Sequence, residues 1–155
     1  KDSIQQIYKR IKRISPGKKS PDFEFIDKNE KFVRLSDFKN NIVFIDIWSS
    51  WCKPCIIEIK ALEKLKSKYP DICFISICKN DTKDNWIKFL DKNKITGIQL
   101  YEKNKDDDFF KTYMMEGVPH FLIIGRNGII IDNKPLRPSS KGFENMLQEI
   151  LNNYL

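Results

Sequence analysis

Asp46-Ile-Trp-Ser-Ser-Trp-Cys-Lys-Pro-Cys55 decides how this chain folds. It completes an apolar, β-branched run that begins at Ile42 and reads as a buried strand, and Pro54 then opens a helical pattern. The two cysteines therefore fall where a strand hands over to a helix. The first N–H groups of a helix have no partners within it, and the positive end of its dipole favours an anion, so a thiolate at Cys52 is stabilised there. The charge of Lys53 acts in the same direction. Cys55 follows one turn along the same face, close enough to attack a mixed disulfide formed at Cys52. The expected redox group is the Cys52–Cys55 pair itself, with Cys52 as nucleophile, Cys55 as resolving thiol and no added cofactor.

The same C-x-x-C spacing builds half of a zinc site. A four-ligand site would want a second close pair, whereas Cys73 and Cys78 flank a strand-like run and the sole histidine, His120, stands far along the chain. No metal is expected. Five strand steps would hold Cys73 and Cys78 about 16 Å apart and on opposite faces, beyond the reach of a disulfide. Cys73 reads as a core residue. Cys78 ends its strand on the sheet edge where the Cys52 helix begins, which makes it a candidate third thiol near the site. Thiol peroxidases usually carry Pro-x-x-x-Thr-x-x-Cys, and here Ile45 and Ser49 occupy the proline and threonine places.

Outward from this centre, Phe23, Phe25 and Phe32 to Leu35 flank turn residues 27–30 and read as two short strands. Ile56, Ile59, Leu62 and Leu65 give the helix after Cys55 its apolar face up to Tyr69-Pro70, and Ile72 to Cys78 is a second buried strand. A helix carrying Trp86, Phe89 and Leu90 follows Asp81-Thr82. Residues 97–101 read as a short extended piece. The charged run 102–108 reads as a solvated loop, and Phe109 to Met115 as a short helix. Arg126-Asn-Gly128 joins two strands by a hairpin turn, and a last helix carries Phe143, Met146, Leu147, Ile150 and Leu151. A strand-helix-strand crossover followed by a hairpin and a closing helix implies a mixed sheet with helices on both faces.

With 155 residues and 41% hydrophobic content, the chain can bury one substantial core. Its 28 basic and 21 acidic residues give +7, but residues 1–20 hold seven of the basic against Asp2, leaving +1 for the rest. The globular part is nearly neutral, and no nucleic-acid partner is expected. Ile4, Ile7, Tyr8, Ile11 and Ile14 recur at helical spacing opposite Lys9, Arg10, Lys12 and Arg13, which predicts an amphipathic helix packed on this domain or on one upstream, ended by Ser15-Pro-Gly17. No apolar run approaches the ~18 residues of a membrane span. The start at Lys1 shows no signal peptide, so a trimmed chain is expected, with a membrane tether or upstream domain outside it.

Pro21-Asp-Phe-Glu-Phe25, Leu35-Ser-Asp-Phe38, the Trp-Cys-x-x-Cys junction and Gly117-Val-Pro-His-Phe121 running into Asn127-Gly128 together resemble the thioredoxin superfamily. The likeness is to the TlpA/ResA type of bacterial extracytoplasmic thiol-disulfide oxidoreductase, and it covers about residues 20–155. It implies an α/β, three-layer thioredoxin-like fold, with a mixed central sheet and an N-terminal β-hairpin extension, in a domain 20–155 preceded by a basic helix and linker over 1–19. It further implies a monomer that reduces protein disulfides outside the cytoplasm, in the periplasm or anchored to the envelope, and is recharged by an upstream thiol donor. An oxidase or isomerase of the same fold, or a redox-inactive peptide-binding module, are the alternatives. By the same resemblance Pro119 is a cis-proline set against the disulfide, Val118 offers its backbone to an extended substrate, and Trp51, Lys53 and Pro54 face that substrate. Asp46 falls at the place of thioredoxin's buried aspartate and Glu58 at the glutamate of a Cys-x-x-Glu pattern, which makes both candidates to take the Cys55 proton. Lys60 replaces a kinking proline common in the family, and His120 a threonine.

Overall fold

Every residue of Ile42–Trp48 is buried, because this strand has neighbours on both edges and helices or loops on both faces. The computed structural model describes residues 1–104 and 108–154. In chain order the strands are β1 (Glu24–Ile26), β2 (Phe32–Arg34), β3 (Ile42–Trp48), β4 (Ile72–Cys78), β5 (Ile98–Tyr101), β6 (His120–Ile124) and β7 (Ile130–Asp132). The helices are α1 (Ile4–Arg13), α2 (Lys53–Lys66), α3 (Lys83–Asn93), α4 (Asp108–Thr112) and α5 (Phe143–Tyr154). One mixed sheet has the order β2-β1-β5-β4-β3-β6-β7, with β3, β4 and β5 parallel and the others antiparallel to their neighbours. The β1–β2 hairpin adds to the β5 edge, as the resemblance implies.

Strand alternation sorts the core into two sides. Val43, Ile45 and Ile47 pack with Phe23, Phe25, Phe109 and Phe110, covered by α4. Ile42 and Phe44 pack with Leu62 of α2 and with Phe143, Leu147 and Leu151 of α5, and the Phe44 ring meets Phe143 edge-on at 5.4 Å. Cys73 and Cys78 follow the same alternation. Both are free thiols, Cys73 half-buried on the first side and Cys78 buried on the second. Thr82 caps α3 by accepting from the Asn85 N–H, which lets Trp86 and Leu90 close over Trp48. The Asn-Gly turn forms between β6 and β7, with Gly128 at φ 76°, a left-handed conformation that a side chain disfavours.

Three expectations are corrected, and of the two packings open to α1 the one on this domain is not seen. Helix α1 buries none of its residues, and Ile4, Tyr8 and Ile11 are exposed; only Ile14, just past its end, enters the core. The following residues run along β7, where Gly17 N donates to Ile130 O and Ile130 N to Lys18 O. The charged run is not wholly solvated: Glu102 is buried because its N–H extends the β5 pairing to Cys78 O, while its carboxylate accepts from Asn80 N. Residues 105–107 of that run lie outside the described residues. The helix from Phe109 stops at Thr112 rather than Met115, because Met114 turns left-handed at φ 54°. Helix α2 ends at Lys66, short of Tyr69, in two backbone-bonded turns.

Candidate active site

The parallel crossover from β3 through α2 to β4 places the start of α2 at the carboxyl edge of the sheet. Cys52 is the N-cap of α2. Its Sγ accepts from Cys55 N at 3.3 Å, so an orphan donor of the first turn already points at the sulfur that would carry negative charge. Cys52 and Cys55 form a disulfide, Cα to Cα 5.3 Å. Cys52 retains 5% exposure and Cys55 none, so Cys52 is the outer sulfur of the pair and Cys55 the inner one. Lys53 and Pro54 between them are exposed.

The Val118–Pro119 peptide is cis, and Val118 O lies 3.8 Å from Cys52 Sγ. Val118 and Pro119 are half-buried beside the disulfide. Trp48 is core, wedged against Phe89 at 4.9 Å, whereas Trp51 is 63% exposed and donates its indole N–H to Asn80 O. Ser49 donates its hydroxyl to Lys79 O and Ser50 its N–H to Asp81, so the three residues before Cys52 are buckled to the β4–α3 loop. The single Ser49 proton is thus turned away from the sulfur, unlike the threonine proton a peroxidase site would need.

Asp46 is buried on the α2 side of the sheet. Burial pushes its carboxyl up to about 6, against a smaller lowering by Ser76, whose hydroxyl donates to Oδ1 from the register-paired position on β4. Its other oxygen, Oδ2, has no hydrogen-bond partner among the described residues. Glu58 is buried too, but both its oxygens are occupied: Oε2 accepts from Ser139 N and Oε1 from Ser139 Oγ. The two candidate carboxylates thus differ in kind, one half-satisfied and raised, the other a clamp on the loop before α5. Lys60 is exposed, and α2 runs unbroken through it. His120 is half-buried and bonded to the Asn133 backbone; burial lowers its pKa.

Ser76 and Ser139 were missed in the sequence. Ser76 had a signal, since it is the fifth residue of its strand as Asp46 is of its own, a polar pair in two apolar runs. Ser139 had none. Cys78 lies in the same apolar cluster as the disulfide, but burial first and the Asp81 carboxylate second push its thiol far above the usual range. It stays a thiol at neutral pH. Among the described residues no group of three or more His, Cys, Asp or Glu could hold a metal ion.

In the reduced protein at neutral pH, iodoacetamide should label Cys52 first and leave Cys55 and Cys78 unmodified on the same timescale. Mass mapping that found Cys55 labelled faster would reverse the two roles. Peptide mapping after air oxidation should find Cys52–Cys55 as the single bridge.

Comparison with known proteins agrees with this geometry. The AhpC/TSA family model matches residues 16–133. The thiol-disulfide oxidoreductase ResA of Bacillus cereus is 26% identical over 151 residues, covering 94% of this chain and 84% of its own length. The thioredoxin-like protein YneN of Bacillus subtilis is 28% identical over 138 residues, covering 84% and 78%. Among solved structures, a Bacteroides vulgatus protein inferred to be a thiol-disulfide oxidoreductase superposes with a TM-score of 0.81 at 30% identity, over 89% of this chain and 98% of that one. With a dithiol at the head of α2, set against a cis-proline loop in a thioredoxin-like sheet, the chain belongs to the AhpC/TSA family and, within the thioredoxin superfamily, to the TlpA/ResA-type thiol-disulfide oxidoreductases.

Proposed function

We propose that this oxidoreductase reduces disulfides in protein substrates. The observation that carries the reading is the Cys52 sulfur, held at the N-terminus of α2 and beside the backbone of Val118. The Cys52 thiolate attacks one sulfur of a substrate disulfide; that S–S bond breaks and the first substrate thiolate leaves. Cys55 then gives its proton to Asp46, its thiolate attacks Cys52 Sγ, the Cys52–Cys55 bond forms and the second substrate thiolate leaves. Two electrons pass to the substrate. A thiol donor upstream returns the pair to the dithiol.

Asp46 is favoured as acceptor because a buried carboxylate titrating at about 6, with one oxygen unpartnered, is ionised at neutral pH yet readily protonated. Glu58 would first have to release Ser139. Val118 pairs with an extended substrate segment, and Trp51, Lys53, Pro54 and Pro119 border it. We place the protein outside the cytoplasm, in the periplasm or on the envelope, a reading supported by its kinship with ResA, and take it to act as a monomer. Residues 1–19 then form an arm to a tether or an upstream domain, which the unpacked apolar stripe of α1 supports.

Insulin reduction by wild type and by Cys52→Ser tests the activity, and loss of it in the variant is expected. Equilibration with glutathione tests the direction: a midpoint below about −200 mV is expected for a reductant, whereas one near about −120 mV would make the protein an oxidase.

A further inference from the structure

Helix α1 buries none of its residues, yet it is held in place. Ser3 and Gln6 form a capping box, Arg10 pairs with Asp2, and beyond the helix Asn133 Nδ2 donates to Ile14 O and Gly17 N to Ile130 O. The helix therefore stands off the domain while its end is tied to it, and a cavity of about 380 Å³ lies between them. Ile7 and Arg10, one turn apart, are the wall that α1 supplies. Facing them are Phe110, Met114, Met115 and Lys79, whose ammonium stands 4.7 Å from the centre of the Phe110 ring. Three carboxylates, Asp2, Glu102 and Glu116, line the cavity with three cations, Arg10, Lys79 and Lys111, so its charges balance and it has no means of selecting by charge. What sets it apart is the apolar surface of Ile7, Phe110 and two methionines.

Two of its walls lead to the disulfide. Met115 lies three residues before Val118, whose carbonyl oxygen is 3.8 Å from Cys52 Sγ, and three residues span at most about 11 Å. Met115 and Val118 pack against the same apolar cluster. Met114, Met115 and Val118 are all half-buried, so the chain running from the cavity to the disulfide keeps partly open apolar side chains at all three positions. On the other wall Lys79 O accepts from Ser49 Oγ, and the O of the next residue, Asn80, accepts from Trp51 Nε1. The cavity is thus bonded to the turn that precedes Cys52 as well as joined to the loop that faces it.

We propose that this cavity is a subsite for the substrate chain and takes a large apolar side chain about two to four residues from the cysteine under attack. This rests on the reductase reading above and supplies its substrate class: protein disulfides with a bulky apolar residue at that spacing. The backbone of Val118 takes the segment without regard to sequence. An extended chain advances about 3.3 Å per residue, so the residue about three along from the one opposite Val118 comes level with Met115. Methionine walls adapt to side chains of different shape, so leucine, methionine and phenylalanine all fit.

A set of glutamine-rich peptides tests it, each with a disulfide-linked fluorophore and quencher and a single Leu moved stepwise away from the cysteine on either side. On one side kcat/KM should peak with Leu about three residues from the cysteine, about tenfold above the peptide without Leu, and fall back at about six. Ile7→Gln, on a helix that buries none of its residues, and Met114→Gln should each bring that peak to within about twofold of the Leu-free peptide measured with the same variant. A gain that ignores spacing, no gain at any spacing, a peak only at the far positions, or a peak that survives both variants would overturn the proposal. Failure of the wild type on hydroxyethyl disulfide would instead overturn the reductase reading beneath it.

Discussion

Cys55→Ser is expected to stop the enzyme after its first half-reaction, leaving Cys52 covalently joined to substrate and lowering turnover by on the order of 10³-fold or more. Cys55 has no exposure and sits 5.3 Å from Cys52, Cα to Cα, so on the proposed mechanism it attacks from inside while the substrate occupies the outer face. A serine hydroxyl has the size and position but not the acidity to displace a thiolate. Cys78 cannot substitute, because its thiol is held protonated by burial and by Asp81. Mass spectrometry should therefore find one substrate adduct per chain, on Cys52, released by added dithiothreitol. Turnover within tenfold of wild type would mean that another group resolves the mixed disulfide. Cys78→Ser, made alongside, should leave turnover unchanged.

What could be foreseen and what could not divides along a physical line. The strand-to-helix handover at Cys52 was legible because each part is local: an apolar run of seven residues, a proline in the first turn of a helix, two cysteines one turn apart. The mixed sheet followed from the order of such local parts, and even the Asp46–Ser76 pair was visible in outline, since a parallel in-register pairing joins equal offsets in two strands. The partner of Glu58 was not. Ser139 lies 81 residues away on an irregular loop, and nothing in the pattern around it marks a capping role. The spacing of Glu58 behind Cys55 and the Cys-x-x-Glu resemblance suggested a base, and neither hinted that both of its oxygens accept from Ser139 on the loop before α5. Glu102 failed for the opposite reason, since six charged or polar neighbours masked a residue whose backbone still belongs to the β4–β5 pairing. For α1 the periodicity correctly gave a helix with an apolar stripe, but a stripe records that something can cover it, not what does.

Asp46→Asn should make the protein both more stable and slower, and the sign of each effect follows from one titration. The folded carboxyl titrates at about 6 and the unfolded one near its ordinary 3.8, so between those pH values the native state holds a proton that the unfolded chain has lost. Stability therefore falls as pH rises from about 4 to about 6 and stays lower above it, by roughly 3 kcal/mol for a difference of about two pKa units. Asparagine keeps an acceptor for the Ser76 hydroxyl and removes the buried charge. Denaturant unfolding should accordingly show a gain of up to ~3 kcal/mol at pH 8, little gain near pH 4, and no titration between. The same change removes the carboxylate proposed to take the Cys55 proton, so stopped-flow traces should show the first attack intact and release of the second substrate thiolate slowed by about 10². A variant that gained no stability at pH 8 would contradict the raised carboxyl. One that gained stability but released substrate at the wild-type rate would show that Asp46 is only a strained core residue. A buried carboxylate whose pKa burial raises, with one oxygen lacking a hydrogen-bond partner among the described residues, supports the proposed role of proton acceptor.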